Sequence, residues 1–444
     1  MAGLMIAAPA SGAGKTTVTL ALIAALRAAG HRVASAKAGP DYIDPAFHAA
    51  ASGRECLNLD PFAMRPALLR HLAAEQRRGA ERFVVEAMMG LFDGAADGSG
   101  SPADLAALLG TRIVLVVDCA RQSHSVAALV SGFHRFRGDT RLSGLVLNRV
   151  GSPRHLKMLE EALRPLGLPV LAALPRRDDL VLPERHLGLV QASEHADLAG
   201  FLARAGEWLS ENADLDALAE LAGSGDLFPD DDPPPPRPPL LPPPGQRVAV
   251  ARDAAFAFLY PHLLGGWRAA GAELSFFSPL LGEAPPEGCD AVFLPGGYPE
   301  LHAGRLAGAE SFRKGMHAAA AGGALIYGEC GGYMTLGEGL VDAEGTRHEM
   351  LGLLPLETSF AERRRHLGYR RLRPAEAGAS PFGGVGAGGV LTGHEFHYAT
   401  VVAERRERAA PLFHARDARG AELGPTGLRR GRVMGSFCHV IDRA

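Results

Sequence analysis

The first part of the chain alternates short apolar runs with longer stretches of helical periodicity. The apolar runs are LMIAA (4–8), HRVASAK (31–37), ERFVVEA (81–87), RIVLVVD (112–118), SGLVLN (143–148) and PVLAAL (169–174). Buried parallel strands are almost continuously apolar, and strands that alternate with helices form parallel sheets. The pattern therefore predicts a doubly wound α/β domain over residues 1–224.

A second alternation begins at residue 247 and predicts a second doubly wound α/β domain over residues 247–444. Its strand-like runs are RVAVARD (247–253), AELSFFS (272–278), DAVFLPGG (290–297) and GALIYG (323–328). A helix-like stretch at 305–321 lies between the last two of these runs. Residues 225–246, between the two domains, are dense in proline, which fixes φ and removes a backbone donor. We expect this segment to be an extended linker.

Composition narrows the class of protein. Apolar residues make up 47% of the 444 residues and charged residues 21%, as in globular proteins, and the net charge of -3 gives no basic excess for nucleic acid or an anionic membrane. The five cysteines have no CxxC spacing, which argues against a disulfide framework and a zinc site. The sequence shows neither a signal-peptide pattern nor a long apolar run. We therefore expect a cytoplasmic protein without nucleic-acid or membrane partners.

A glycine-rich turn joins the first predicted strand to the first predicted helix. Such a turn points backbone N–H groups at phosphates, and the helix dipole adds to the attraction. Lys15 is expected to reach the terminal phosphates, and the Thr16 hydroxyl to bind Mg²⁺. Pro9 stands where the general pattern has its first glycine. The predicted nucleotide-binding residues are Ser11, Gly12, Ala13, Gly14, Lys15, Thr16 and Thr17.

Acidic residues follow two further predicted strands, in KAGPDYIDP (37–45) and VVEAMMGLFDG (84–94). Parallel sheets bind ligands at the carboxyl ends of their strands, and carboxylate oxygens suit Mg²⁺. We predict Asp41 and Glu86 as magnesium ligands with Thr16. Gly-Pro-Asp is also turn sequence by itself, and Asp118 suits either a metal or a helix N-cap. The predicted substrate contacts are Lys37, Tyr42, Asp44 and Asp93.

The stretch ALIYGECGGYMTLGE (324–338) has the pattern strand, sharp turn, helix. It is the cysteine counterpart of a nucleophile elbow, so we predict that Cys330 is an exposed nucleophile with a lowered pKa. Backbone N–H groups of Gly296, Gly297 and Gly331 are the predicted oxyanion donors. His439, in VMGSFCHVID, is the predicted base. The alternative for Cys330 is a small residue of the core.

Both domains resemble known families. The C-terminal domain resembles triad-type (class I) glutamine amidotransferases, and the N-terminal domain resembles dethiobiotin synthetase-like P-loop proteins. Their fusion is similar to the cobyrinic acid a,c-diamide synthase family, above all to its hydrogenobyrinic acid branch. The strings that support this are KAGPDYIDPAFH, VEAMMGLFDGAADGSG, LNRVGSPRH, PGGYPELHAG, GECGGYM and HEFHYAT.

The resemblance implies amidation of the a and c side-chain carboxylates of hydrogenobyrinic acid through acyl phosphates, in cobalamin biosynthesis. ATP, L-glutamine and Mg²⁺ are the implied co-substrates and cofactor, and cobyrinic acid is the alternative substrate. The family also implies a homodimer and a path for ammonia between the domains.

One departure from the triad pattern leaves the third member of the triad open. Triad amidotransferases usually have a glutamate two residues after the histidine, whereas Val440, Ile441 and Asp442 follow His439. The third member is therefore absent or supplied elsewhere, for example from GHEFHYAT with Glu395 and His397.

The competing functions are a nucleotide-switched binding protein of the partitioning-ATPase kind and a stand-alone glutaminase with a regulatory domain. Ala10 stands where partitioning ATPases have an extra lysine.

Overall fold

The computed structural model describes residues 3–182, 184–185, 188–189, 191–223, 238–376, 378–383, 385 and 388–444. The chain divides into two compact units, one of Met1–Phe62, Pro66–Gly94 and Gly98–Pro238 and the other of Ala63–Arg65, Ala95–Asp97 and Pro239–Ala444. The division at residues 238 and 239 falls inside the proline-rich linker predicted at 225–246. Residues 225–237 of that linker lie outside the described residues.

The first unit alternates strands and helices. Its strands are β1 (Leu4–Ala7), β2 (Val33–Ala38), β3 (Leu57–Leu59), β4 (Arg82–Glu86), β5 (Arg112–Asp118), β6 (Leu142–Val150), β7 (Val170–Pro175), β8 (Glu184–Arg185) and β9 (Gly188–Leu189). Its helices are α1 (Lys15–Ala28), α2 (Asp44–Ser52), α3 (Pro66–Arg77), α4 (Pro102–Leu109), α5 (Ser125–Arg135), α6 (Pro153–Leu163), α7 (Leu198–Asn212) and α8 (Leu215–Gly223).

The main sheet of the first unit is parallel, in the order β3-β2-β4-β1-β5-β6-β7. Leu4 of the central strand β1 pairs with Val84 on β4 and with Arg112 on β5. Every residue of β1 is buried, as the continuous apolar run predicts. All six predicted strands are present, and β3, which was not predicted, has only three residues. The carboxyl ends of β1, β2 and β4 therefore meet at one edge of this sheet.

The second unit begins with α/β alternation and ends in antiparallel strands. Its helices are α9 (Pro261–Ala269), α10 (Ala303–Gly308), α11 (Glu310–Ala321) and α12 (Gly331–Leu336). Its strands are β10 (Arg247–Ala251), β11 (Glu273–Phe277), β12 (Ala291–Leu294), β13 (Leu325–Glu329), β14 (Gly339–Val341), β15 (Arg347–Glu349), β16 (Leu356–Ser359), β17 (His366–Pro374), β18 (Leu391–His397), β19 (Thr400–Glu404), β20 (Ala410–Arg416), β21 (Glu422–Arg430), β22 (Val433–Ser436) and β23 (Cys438–Arg443).

The large sheet of the second unit has the order β11-β10-β12-β13-β22-β21-β20-β17-β18-β23. It is parallel from β11 to β22 and antiparallel from β22 onward. The prediction of two α/β domains is confirmed, although the antiparallel extension of the second sheet was not predicted. The helix predicted at 305–321 is two helices, α10 and α11, which are separated at Ala309.

A smaller sheet of the second unit has the order β15-β14-β16-β19. Among the described residues of the whole chain, no helix has the length and apolar character that crossing a membrane requires.

Candidate functional site

The phosphate-loop residues lie between β1 and α1. Gly12 and Gly14 have φ of 81° and 90°, which L side chains rarely adopt. A Cβ on Gly14 would also collide with the Asn148 amide. No side chain caps α1, whose N-cap is Gly14. Its first N–H groups therefore remain available to an anion such as a phosphate.

Lys15 and Thr16 both point toward the end of β4. Lys15 Nζ donates to the Met89 carbonyl at 2.5 Å, and Thr16 Oγ1 donates to Glu86 Oε1 at 2.7 Å. Burial, followed by the charge of Lys37, lowers the pKa of Lys15 to about 8. A buried cation next to an open helix N-terminus is suited to binding a phosphate group.

A buried ion cluster consists of Lys37, Asp44, Glu86 and His48. Lys37 Nζ lies 2.5 Å from Asp44 Oδ2 and 2.8 Å from Glu86 Oε1. His48 Nε2 lies 2.7 Å from Glu86 Oε2. Burial opposes the charge on Glu86, but Lys37 and the bond from His48 hold its pKa well below the ordinary value. Sequence analysis missed His48, although its place four residues after Asp44 puts both on one face of α2.

Asp41 and Glu86 supply oxygen atoms, which fit Mg²⁺. Asp41 Oδ1 accepts bonds from the Ile43 and Asp44 backbone N–H groups at 2.8 and 3.0 Å. Glu86 Oε1 accepts from Thr16 and Lys37, and Oε2 contacts His48. The residues therefore fit a magnesium ion, provided that Glu86 exchanges one of these bonds for the metal.

Two further predicted residues lie on the loops around this site. Asp93 Oδ2 accepts a bond from the Gly90 N–H at 2.8 Å and closes a turn after β4. Tyr42 is half-buried directly before α2. A role of either residue in substrate binding stays a prediction.

A cavity of about 750 Å³ opens beside the phosphate loop. Asn148, at its wall, donates from Nδ2 to the Ala13 carbonyl at 2.9 Å. Arg149 donates to the Gly12 carbonyl at 3.1 Å and pairs with Asp118 at 2.5 Å. The N-cap interpretation of Asp118 is wrong, because α5 begins at Ser125 after the N-cap His124. Sequence analysis did not assign Asn148 or Arg149, whose only signal was the string LNRV at the end of β6.

Cys330 forms a strained turn between β13 and α12. Its φ is 49° and its ψ is -107°, an unusual conformation for a residue with a side chain. Its N–H donates to the Ser436 carbonyl at 2.9 Å. A Cβ on Gly332 would collide with the Leu294 carbonyl, and one on Gly328 would lie 2.7 Å from the Gly332 backbone. The small neighbours of Cys330 are therefore required for this elbow.

Cys330 and His439 meet at Gly296. A Cβ atom built on Gly296 would lie 3.2 Å from Cys330 Cβ and 3.2 Å from His439 Nε2. The same atom would collide with His439 Cε1. A thiol and an imidazole that flank one glycine can act as nucleophile and base.

Gly297 and Gly331, two of the predicted oxyanion donors, lie on neighbouring loops. The Gly296 carbonyl accepts a bond from the Phe258 N–H at 3.0 Å. In a trans peptide the N–H points the opposite way, so this bond directs the Gly297 N–H away from Phe258. Gly297 N lies 3.1 Å from the position of a Cβ on Gly331. The two glycines lie close to each other, and their role as oxyanion donors stays a prediction.

The predicted exposure and lowered pKa of Cys330 are wrong. The residue is only 3% exposed, and burial, followed by the charge of Glu300, raises the pKa of its thiol well above the ordinary value. Burial, with His394 as the next cause, lowers the pKa of His439 to about 3. The resting pair is therefore a thiol and a neutral imidazole, which is the protonation state that a general base needs.

Both acidic residues that sequence analysis considered for the third member pair with arginines. Asp442 pairs with Arg65, from the segment Ala63–Arg65 of the same unit, at 2.9 Å. Glu395 pairs with Arg370 at 2.7 Å. In the sheet His394 lies opposite His439, so the adjacent Glu395 projects from the other face.

Ligand atoms of His366, Glu395 and His397 lie within 4.8 Å of one another. The two imidazole rings are stacked at 4.6 Å in planes only 7° apart. The lone pairs of an imidazole lie in the plane of its ring, so parallel stacked rings do not converge on one ion. The Glu395 carboxylate is also paired with the Arg370 guanidinium. This cluster does not fit a metal ion.

We expect Gly296→Ala to lower glutamine hydrolysis by on the order of 10²-fold, because its methyl group would displace the His439 ring and a small misplacement of a base is costly. Ammonia release from glutamine measures the effect. Gly308→Ala, where nothing lies within 4 Å of the new Cβ, is the matched control. Equal activity of the two variants would contradict the placement of His439 against Gly296.

Family models match both domains of the chain. Residues 4–190 match the CobQ/CobB/MinD/ParA nucleotide binding domain, and residues 247–443 match the CobB/CobQ-like glutamine amidotransferase domain. Fold and sites thus define a nucleotide-binding domain joined to a glutamine amidotransferase domain.

Relatives of known name match the full length of the chain. Hydrogenobyrinate a,c-diamide synthases of Rhizobium meliloti (strain 1021) and Brucella suis biovar 1 (strain 1330) are each 59% identical over 100% of this chain and 99% of the relative. That of Mesorhizobium japonicum is 49% identical over 99% of this chain and 98% of the relative. The chain belongs to the hydrogenobyrinate a,c-diamide synthase family. The resemblance inferred from the sequence motifs is confirmed.

Proposed function

We propose that this protein converts the a and c side-chain carboxylates of hydrogenobyrinic acid to amides, with glutamine as nitrogen donor and ATP as the source of activation. Residues 1–224 form the amide, and residues 247–444 release ammonia from glutamine. The observation that supports this best is the Cys330 elbow with His439 against Gly296, in a chain similar over its full length to synthases of that name.

The geometry around Cys330 supports glutamine hydrolysis by this pair of residues. His439 takes the thiol proton as Cys330 Sγ attacks the carboxamide carbon, and the N–H groups of Gly297 and Gly331 bind the oxyanion. The proton then passes to the leaving nitrogen, the C–N bond breaks and ammonia departs. Water hydrolyses the thioester to glutamate and restores the thiol.

Amide formation requires a better leaving group than a carboxylate oxygen. A side-chain carboxylate of the corrin attacks the γ-phosphorus of ATP, which gives an acyl phosphate and ADP. Ammonia then attacks the acyl carbon and phosphate leaves. Lys15 and the N–H groups at the start of α1 bind the phosphate charge. Mg²⁺, when held by Thr16, Asp41 and Glu86, would neutralise part of that charge.

The cavity beside the phosphate loop is the proposed site of the nucleoside part of ATP. It borders Gly14 and Thr17 and extends to Asn148 and Trp208. Its volume of about 750 Å³ lies within the usual range for small-molecule sites. Substrate binding by Lys37, Tyr42, Asp44 and Asp93, assembly as a homodimer and a cytoplasmic location stay predictions.

Phosphate release from MgATP with glutamine tests the function. We expect hydrogenobyrinic acid to trigger turnover and to yield a product whose mass corresponds to two carboxylates converted to amides. Cobyrinic acid in a parallel reaction tests the alternative substrate. If no tetrapyrrole alters ATP use, the ligase function is wrong and a glutaminase with a regulatory domain becomes the better account.

A further inference from the structure

We propose that Glu329 is the positioning residue for His439, in the role that a glutamate two residues after the histidine has in other triad amidotransferases. The inference rests on the proposed function only in assuming that Cys330 and His439 hydrolyse glutamine. It concerns the residue directly before the nucleophile, which sequence analysis treated only as part of the elbow.

Glu329 contacts His439 from the adjoining part of the sheet. Glu329 Oε2 lies 3.7 Å from His439 Nδ1, and the two side chains are 2% and 1% exposed. Glu329 Oε1 accepts a bond from the Val440 N–H at 3.0 Å. The same carboxyl group therefore faces the ring of His439 and is fixed to the backbone of the next residue.

The two ends of the imidazole ring face different partners. Nε2 lies against Gly296, beside Cys330, while Nδ1 lies 3.7 Å from Glu329 Oε2. A carboxylate at Nδ1 keeps the proton on that nitrogen and leaves the Nε2 lone pair free as a base. A shift of about 0.8 Å would bring the pair to normal hydrogen-bond distance. We expect that shift when His439 becomes an imidazolium and the attraction strengthens.

The site requires the ionised form of Glu329. Burial raises the pKa of Glu329 to about 8, so the group gains its charge as the pH rises through that value. The other titratable groups that face it are Tyr327, Cys330 and Cys438, and burial raises the pKa of each well above its ordinary value. These three stay neutral near pH 8. Glu300, whose charge acts on Cys330, has its pKa raised by burial to about 7, so the loss of the inflection near pH 8 in Glu329→Gln is what assigns it to the Glu329–His439 pair.

The test compares Glu329→Gln with Glu395→Gln, a change of the same kind at a half-buried glutamate on the other face of the sheet. Ammonia release from glutamine, without corrin, is followed from pH 6 to pH 10. In the wild type, kcat/KM for glutamine is expected to rise through about pH 8 to a plateau. Glu329→Gln is expected to lose this inflection and to lower kcat by on the order of 10²-fold or more, with little change in KM.

Glu329→Asp keeps a carboxyl group and is expected to retain the inflection at a reduced kcat. Amidation with added ammonia should be equal in the wild type and Glu329→Gln, which shows that the variant is folded. An unchanged kcat in folded Glu329→Gln overturns the proposal. If that variant does not fold, a wild-type profile without an inflection near pH 8 overturns it. Failure of corrin amidation in every variant would instead count against the proposed function, because glutamine hydrolysis is measured separately.

Discussion

Cys330→Ala is expected to lose glutamine-dependent amidation, by about 10³-fold or more, and to keep amidation with added ammonia. The variant lacks the sulfur atom that forms the thioester, so glutamine releases no ammonia. The phosphate-loop site, in the other unit, is unchanged. Product formation with glutamine and with an ammonium salt, measured side by side, checks both parts of this expectation.

Cys438→Ala is the matched control for that experiment. Cys438 is 1% exposed and lies next to His439 on β23, but adjacent residues of a strand point to opposite faces. We expect this variant to stay within a few-fold of the wild type with glutamine. Full activity of Cys330→Ala with glutamine would show that Cys330 is only a core residue.

Lys15→Ala is expected to lose amidation with either nitrogen source, by about 10²- to 10³-fold. The change removes the buried cation at the start of α1, so neither glutamine nor ammonia restores acyl phosphate formation. Glutamine hydrolysis without corrin should be unaffected. In the wild type, kcat/KM for ATP should fall as the pH rises above about 8, because Lys15 loses its charge there.

Lys157→Ala, at an exposed lysine on α6, is the control for the loss of a positive charge. Its amidation rate should equal that of the wild type with both nitrogen sources. If Lys15→Ala still forms product with ammonia at the wild-type rate, then Lys15 does not bind the transferred phosphate.

Most of the parallel strands could be predicted because their residues are buried on both faces. The run RIVLVVD corresponds to β5 and the run GALIYG corresponds to β13. Both were recognisable because a fully buried strand is apolar along its length. Strands with one exposed face give a weaker signal. β17, with the sequence HLGYRRLRP, has buried residues interspersed with more exposed ones and contains three arginines, so it has no continuous apolar run that would predict it.

Site residues could be predicted where the signal is local in the chain and could not where it is not. Lys15, Thr16 and Cys330 could be found from sequence because each lies in a motif whose geometry is local. Glu329 and Asn148 could not, because their partners are 110 and 135 positions away in the chain. The prediction of a lowered pKa for Cys330 is wrong for the same reason. The elbow motif indicates the turn, but the surrounding chain determines the burial of the thiol.

Glu329 and Cys330 are consecutive, and the strained dihedral angles of Cys330 join them. If Glu329 positions His439, one backbone conformation sets both the nucleophile and the orientation of its base. Relaxation of this single turn would then switch off both functions at once. Substitutions that alter this turn would therefore impair the attack on glutamine and the accompanying proton transfer together.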